Sequence, residues 1–120
     1  MSNKEKKDVA ADTPNTIEEI VAATTIADVY KAAKNLDGVI KRTRLIESPF
    51  FSEISGNNVF IKPENLQNTG SFKLRGAYNK ICQLSNEERA RGVITASAGN
   101  HAQGVGFAAQ HLGCKAVICI

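Results

Sequence analysis

VITASAGNHAQGVGFAAQHLGCKAVICI, from Val93 to Ile120, changes its hydrophobic period twice. Val93-Ile94-Thr95-Ala96 is a short β-branched run and predicts a strand, and Ser97-Ala98-Gly99-Asn100 reads as a small-residue loop. From His101 to about Leu112 the period becomes helical, with Ala102, Val105, Ala109 and Leu112 on one apolar face. Gly113 stops that helix, and Ala116 to Ile120 predicts a second strand. Strand, helix and strand in this order form a βαβ unit, which needs a parallel sheet with helices on its faces, so the fold class is α/β. Two or three strands cannot make a covered parallel sheet, and Ile120 falls inside an apolar run. The chain is therefore expected to be the N-terminal part of a longer protein, truncated within its sheet.

Upstream, residues 1–15 are charged and small with a proline at 14, and read as a disordered leader; residues 16–120 read as one structured piece. Thr16-Ile17-Glu18-Glu19 is a capping box, and Thr25-Ile26-Ala27-Asp28 is a weaker version of it. The second opens a helix to about Leu36 with Ile26, Val29, Tyr30, Ala33 and Leu36 in one stripe, ended by Gly38. Thr43 to Ile46 is expected to be extended, Pro49 to break any helix, and Asn58 to Lys62 to form a short strand. Ser71 is the expected N-cap of a helix running toward Cys82 with Leu74, Ala77, Tyr78 and Ile81 on one side. Ser85-Asn86-Glu87-Glu88 caps another, ending near Gly92.

Composition excludes several function classes. The net charge of +3 is too small to argue for nucleic acid. Cys82, Cys114 and Cys119 fit neither a disulfide framework nor zinc spacing, so no metal is expected. No apolar run approaches the roughly 20 residues that cross a bilayer, and the N-terminus has no secretory h-region, which makes the cytoplasm the expected compartment.

Two stretches carry chemistry. In Ser71-Phe72-Lys73-Leu74-Arg75-Gly76 a lysine stands near a helix start, at N2 if Ser71 is the cap. There the helix dipole opposes an ammonium, and flanking Phe72 and Leu74 are expected to shield it, so the neutral amine is favoured. A neutral amine is what an imine with a carbonyl cofactor requires. Gly76, one turn on, permits close approach of something flat or of another backbone. The alternative is an ordinary surface lysine. In Ser97 to His101, backbone N–H groups at a strand's carboxyl end and a helix start surround a point suited to a carboxylate or phosphate. Ser97 and Asn100 are the polar side chains best placed to meet it; His101 is a base or a capping residue. Arg75 is expected in a salt bridge, and His111 at a helix end where the dipole favours it.

Together, Glu64 to Ala77 (ENLQNTGSFKLRGA) and Thr95 to Gly104 (TASAGNHAQG) resemble the pyridoxal-phosphate enzymes of the tryptophan-synthase-like fold, fold type II. Within these the chain is most similar to the threonine dehydratases, or threonine ammonia-lyases, from about Ile26 to Ile120. The resemblance implies that Lys73 is the catalytic lysine carrying pyridoxal 5'-phosphate and Phe72 the aromatic packed near it. It implies that Asn100 hydrogen-bonds the ring's phenolic oxygen and that Ser97, Ala98, Gly99, Asn100 and His101 clasp the substrate carboxylate. It also implies deamination of L-threonine to 2-oxobutanoate and ammonia, and of L-serine to pyruvate, by a full-length homo-oligomer, a dimer or tetramer. Serine dehydratase and cysteine-synthase-like β-replacement are the alternatives within the fold, and a noncatalytic α/β binding module is the alternative outside it. Ala98 stands where the related serine racemases carry an acid/base serine. The 120-residue piece by itself is expected to hold no stable cofactor and to be inactive.

Overall fold

A computed structural model describes residues 16–120, the side chains of residues 19, 20 and 22 excepted. The predicted leader, 1–15, and the Glu19 half of the first capping box lie outside the described residues. The chain forms two compact units, one ending at Ala33 and one running from Lys34 to Ile120.

The first unit contains helix α1 (Ile17–Ala23) and most of α2 (Ile26–Leu36). The capping signal at Thr25 is realised reciprocally: Asp28 N–H donates to Thr25 Oγ1 at 3.4 Å and Thr25 N–H donates to Asp28 Oδ2 at 2.8 Å. Along the α2 stripe Ile26, Val29 and Tyr30 are 54–70% exposed, whereas Leu36 is buried. Period states which face of a helix is apolar, not that another element covers it.

In the second unit, Leu36 is buried and Gly38 takes the left-handed φ of 71° that ends α2. A two-residue antiparallel pair follows, β1 (Ile46–Glu47) with β2 (Phe60–Ile61), in register Ile46 to Ile61. Between them Pro49 does not break a helix; it begins one, α3 (Pro49–Ser55). Ser48 caps it, its Oγ accepting from Phe51 N–H at 3.4 Å, and Gly56 closes it at φ 67°. Proline fits the first helical position because its missing N–H has no partner there in any case. Ser48, Pro49 and Gly56 together are the signal that marks this helix.

Helices α4 (Lys73–Ile81) and α5 (Asn86–Arg91) precede β3 (Val93–Ala96), α6 (Asn100–His111) and β4 (Ala116–Cys119). The α5 capping box is complete, Ser85 Oγ accepting from Glu88 N–H and Glu88 accepting from Ser85 N–H. Strands β3 and β4 are parallel, Val93 opposite Ala116 through Ala96 opposite Cys119, as the βαβ reading requires.

The core lies where α4 meets α6. Leu74, Ala77, Tyr78 and Ile81 are the buried side of α4, as predicted, against Val105, Ala108 and Ala109 of α6. Leu74 is fully buried, an effect of about 2 kcal/mol relative to exposure. His111 packs edge-on to Tyr78 and stacks on Phe107. No helix among the described residues is long and apolar enough to cross a membrane.

Candidate active site

The approach to Lys73 is tied down before the helix begins. A single 3-10 turn, Glu64–Leu66, aims Glu64 at Arg75, which donates from Nε at 2.7 Å and Nη2 at 2.8 Å. Thr43 Oγ1 donates to the same carboxylate, and Lys62 Nζ donates to the Thr43 carbonyl at 2.8 Å. The Arg75 hydrogen bonds, aided by Thr43 and by the nearby charges of Arg75 and Lys62, outweigh partial burial and bring the Glu64 carboxyl down to about 2. Gln67, 3% exposed, pairs with both backbone groups of Lys41: Lys41 N–H donates to its Oε1 at 2.8 Å and its Nε2 donates to Lys41 O at 2.9 Å. Asn68 Nδ2 donates to the Val39 carbonyl. Gly70, at φ 69°, turns the chain into α4.

Sequence alone places Arg75 in a salt bridge, as found, but reveals neither Glu64 as its partner nor the role of Gln67. Both lie far from their partners in sequence, so no local pattern marks them.

The ionic tie has a measurable acid signature. The Glu64 carboxyl titrates near 2 in the folded chain against an ordinary 4.5, so its stabilisation is present above about pH 4.5 and is lost as pH falls through 2. With the guanidinium side chain 29% exposed, the pair is worth about 1–2 kcal/mol. In the full-length protein, thermal melts of Glu64→Gln are expected to start lower at neutral pH and to fall less than wild type between pH 4.5 and 2. Parallel acid limbs for the two proteins would refute this role.

At the helix start the structure departs from expectation in two ways. Phe72, not Ser71, is the N-cap residue, in helical conformation and with no side-chain cap bond, which puts Lys73 at N1. Ser71 cannot cap because it is turned inward: it is 7% exposed, and its Oγ, like Thr69 Oγ1, is buried without a hydrogen-bond partner. Nor does Leu74 shield Lys73, since it packs into the core while Lys73 is exposed. Phe72 remains beside it, its ring centroid 5.2 Å from Lys73 Nζ. Successive helical residues point about 100° apart, so neighbours in sequence do not cover one another.

The second stretch leaves β3 at its carboxyl end. Ser97 N–H donates to the Cys119 carbonyl, and Ser97 Oγ turns back to accept from Gly99 N–H at 3.3 Å, so the Ser97 amide is used within the fold while its hydroxyl keeps a proton to donate. Gly99 is the N-cap residue of α6 and brings no side-chain cap, leaving the first amides of α6 to a ligand or water. The helix starts at Asn100, one residue before the prediction. Ala98, Gly99, Asn100 and His101 are exposed or half-exposed at this mouth, and Ser97 is likewise not buried.

The two stretches meet through Gly104. A Cβ built there would lie 3.1 Å from the Lys73 carbonyl carbon, 3.1 Å from Leu74 N and 3.2 Å from Lys73 O. Asn100 is one turn before Gly104 on the same face, about 6 Å along the axis. The start of α6 thus stands over the start of α4. Beside this crossing a mainly apolar cleft of about 270 Å³ is lined by Gly76, Ile81, Val93, Thr95, His101 and Val105. Gly76 opens onto it with nothing within 4 Å of where a Cβ would be. Lys73 and Asn100 are not among its lining residues.

The chain is 56% identical over 94 residues to an L-threonine ammonia-lyase of Thermotoga maritima, covering 78% of this chain and 23% of that protein. Among solved structures it matches a threonine deaminase from T.th. with a TM-score of 0.68 and 41% identity, over 78% of this chain and 33% of that one. It matches the serine racemase of Dictyostelium discoideum with a TM-score of 0.75 and 38% identity, over 79% and 31%. The chain therefore spans about a quarter to a third of the length of these relatives. A family model described as pyridoxal-phosphate dependent enzyme matches residues 36–120, the part that contains both stretches and the crossing between them, and the chain belongs to that family.

Proposed function

We propose that the full-length protein deaminates L-threonine to 2-oxobutanoate and ammonia, and L-serine to pyruvate and ammonia, with Lys73 as its catalytic lysine. The observation that carries this reading is the backbone seat of α6 on α4, which sets an exposed amine and an exposed carboxamide on adjoining helix starts. The donor set fits pyridoxal phosphate: an amine for its aldehyde, an amide for its ring oxygen, and uncapped helix amides for an anion. When bound, that group supplies an electron sink for charge developing at the substrate α-carbon. In this reading Lys73 Nζ would hold the cofactor's aldehyde, and the same amine would be the base that takes the α-proton. Asn100 would hydrogen-bond the ring's phenolic oxygen, and Phe72 would pack beside it. The Ser97–His101 loop and the first α6 amides hold the substrate carboxylate. The assembly is a dimer or tetramer acting in the cytoplasm.

The name of the Thermotoga relative favours threonine. Racemisation is the second reading, favoured by the higher TM-score of the Dictyostelium enzyme. Against it, Ala98 has no proton to give or take at the position where the family resemblance puts the racemase serine.

The test is product analysis by the full-length protein with L-threonine, L-serine, and L-serine plus sulfide. The expected result is 2-oxobutanoate from threonine and slower pyruvate from serine. D-serine without oxo-acid, cysteine formed only with sulfide, or no turnover at all would each overturn the assignment.

A further inference from the structure

We propose that Gly104 is a positioning residue for Lys73: its missing side chain lets the α6 backbone sit directly on the backbone of the lysine, and so fixes the distance from the Lys73 amine to Asn100. The inference rests on Lys73 being the cofactor lysine.

The contacts are specific. The three atoms nearest to where a Cβ at Gly104 would lie all belong to the Lys73–Leu74 peptide, at 3.1–3.2 Å, tighter than side chains ordinarily tolerate. They are backbone atoms, so relief cannot come from a rotamer change. Leu74 cannot yield either, being fully buried behind that peptide. The first turn of α4 is also held by the Arg75–Glu64 pair. A side chain at Gly104 must therefore lift α6 away or push the Lys73 peptide aside by a few tenths of an ångström, more for a branched one. Either movement changes the spacing between Lys73 and Asn100, whose helix starts are coupled through this contact. Gly106 provides a contrast two residues on, where a Cβ would meet only the Ile118 side chain at 3.8 Å.

A loss of this kind differs from a loss of stability. Proton transfer and covalent exchange at an amine are sensitive to its placement, with about 100-fold lost for a ~1 Å error. The test uses the full-length holoenzyme as wild type, Gly104→Ala, Gly104→Val and Gly113→Ala. Gly113 has φ 64° and no neighbour within 4 Å of a Cβ, so its alanine variant loses stability without touching Lys73. Borohydride reduction and peptide mapping locate the cofactor lysine. Stopped-flow absorbance then gives the rate at which an amino acid displaces that lysine, and thermal melts record stability.

Expected are a label on Lys73, displacement slowed roughly tenfold in Gly104→Ala and about 100-fold in Gly104→Val, and a rate within about twofold of wild type in Gly113→Ala. If Gly104→Val does not fold, the alanine variant decides. Wild-type displacement in Gly104→Ala, or slowing in Gly113→Ala that matches it, overturns the positioning role while leaving Lys73 as the cofactor lysine. A label elsewhere in the wild-type protein overturns the reading of Lys73 itself, and this proposal with it.

Discussion

Replacing Lys73 by alanine in the full-length protein is expected to lower 2-oxobutanoate formation by at least about a thousandfold while leaving the fold intact. The size follows from two roles assigned to one nitrogen. An amine that attaches the cofactor brings it into place, and the same amine acting as base removes the α-proton; general-base catalysis alone contributes about 10²–10⁴. The intact fold follows from position. Lys73 is exposed at N1 and forms no salt bridge among the described residues, so alanine there should change stability by less than about 0.5 kcal/mol. Turnover and melting temperature measured on one preparation check both halves. Added methylamine should restore part of the rate, since it supplies a proton acceptor but no attachment. Retention of more than about a tenth of wild-type activity would rule out Lys73 as the essential amine.

The largest stability loss is expected at Gly92. It has φ 85°, and a Cβ there would stand 2.7 Å from the Lys115 carbonyl oxygen, the same oxygen that accepts from Val93 N–H at 2.8 Å. Alanine would meet a strained backbone conformation, about 1 kcal/mol, and a backbone clash of about 1–3 kcal/mol. The clash falls on the first rung of the parallel ladder, and relieving it separates β3 from β4 where their register is set. Gly92→Ala is expected to lose about 2–4 kcal/mol in denaturant unfolding of the full-length protein, against about 1 for Gly113→Ala, which has the strained φ without the neighbour. Equal losses would show that the Lys115 contact relaxes without cost.

Local chemistry makes much of this legible. The βαβ unit follows from period alone because a strand, a helix and a strand each fit their own repeat within one run, and the α5 box follows from two residues three apart. What escapes the sequence depends on distant partners or on facing direction. Ser71 has the composition of a cap but is turned inward, so the helix starts without one. Leu74 stands next to Lys73 in sequence yet points into the core. Pro49 reads as an obstacle because proline interrupts helix interiors, although it suits a first turn once Ser48 and Gly56 are weighed with it. The site stretches are legible through their resemblance to a family. The crossing at Gly104 is not, because a glycine's missing side chain leaves no mark until the neighbouring backbone is known.

The turn leading to Lys73 is moored by two unlike means, one ionic and one formed by neutral amides, Gln67 against the Lys41 backbone and Asn68 against the Val39 carbonyl. Raising ionic strength shrinks the reach of the first and leaves the second almost untouched. The lysine's footing should thus be shared between a restraint that responds to the medium and one that does not, so that brine or strong acid loosens the anchorage without releasing it.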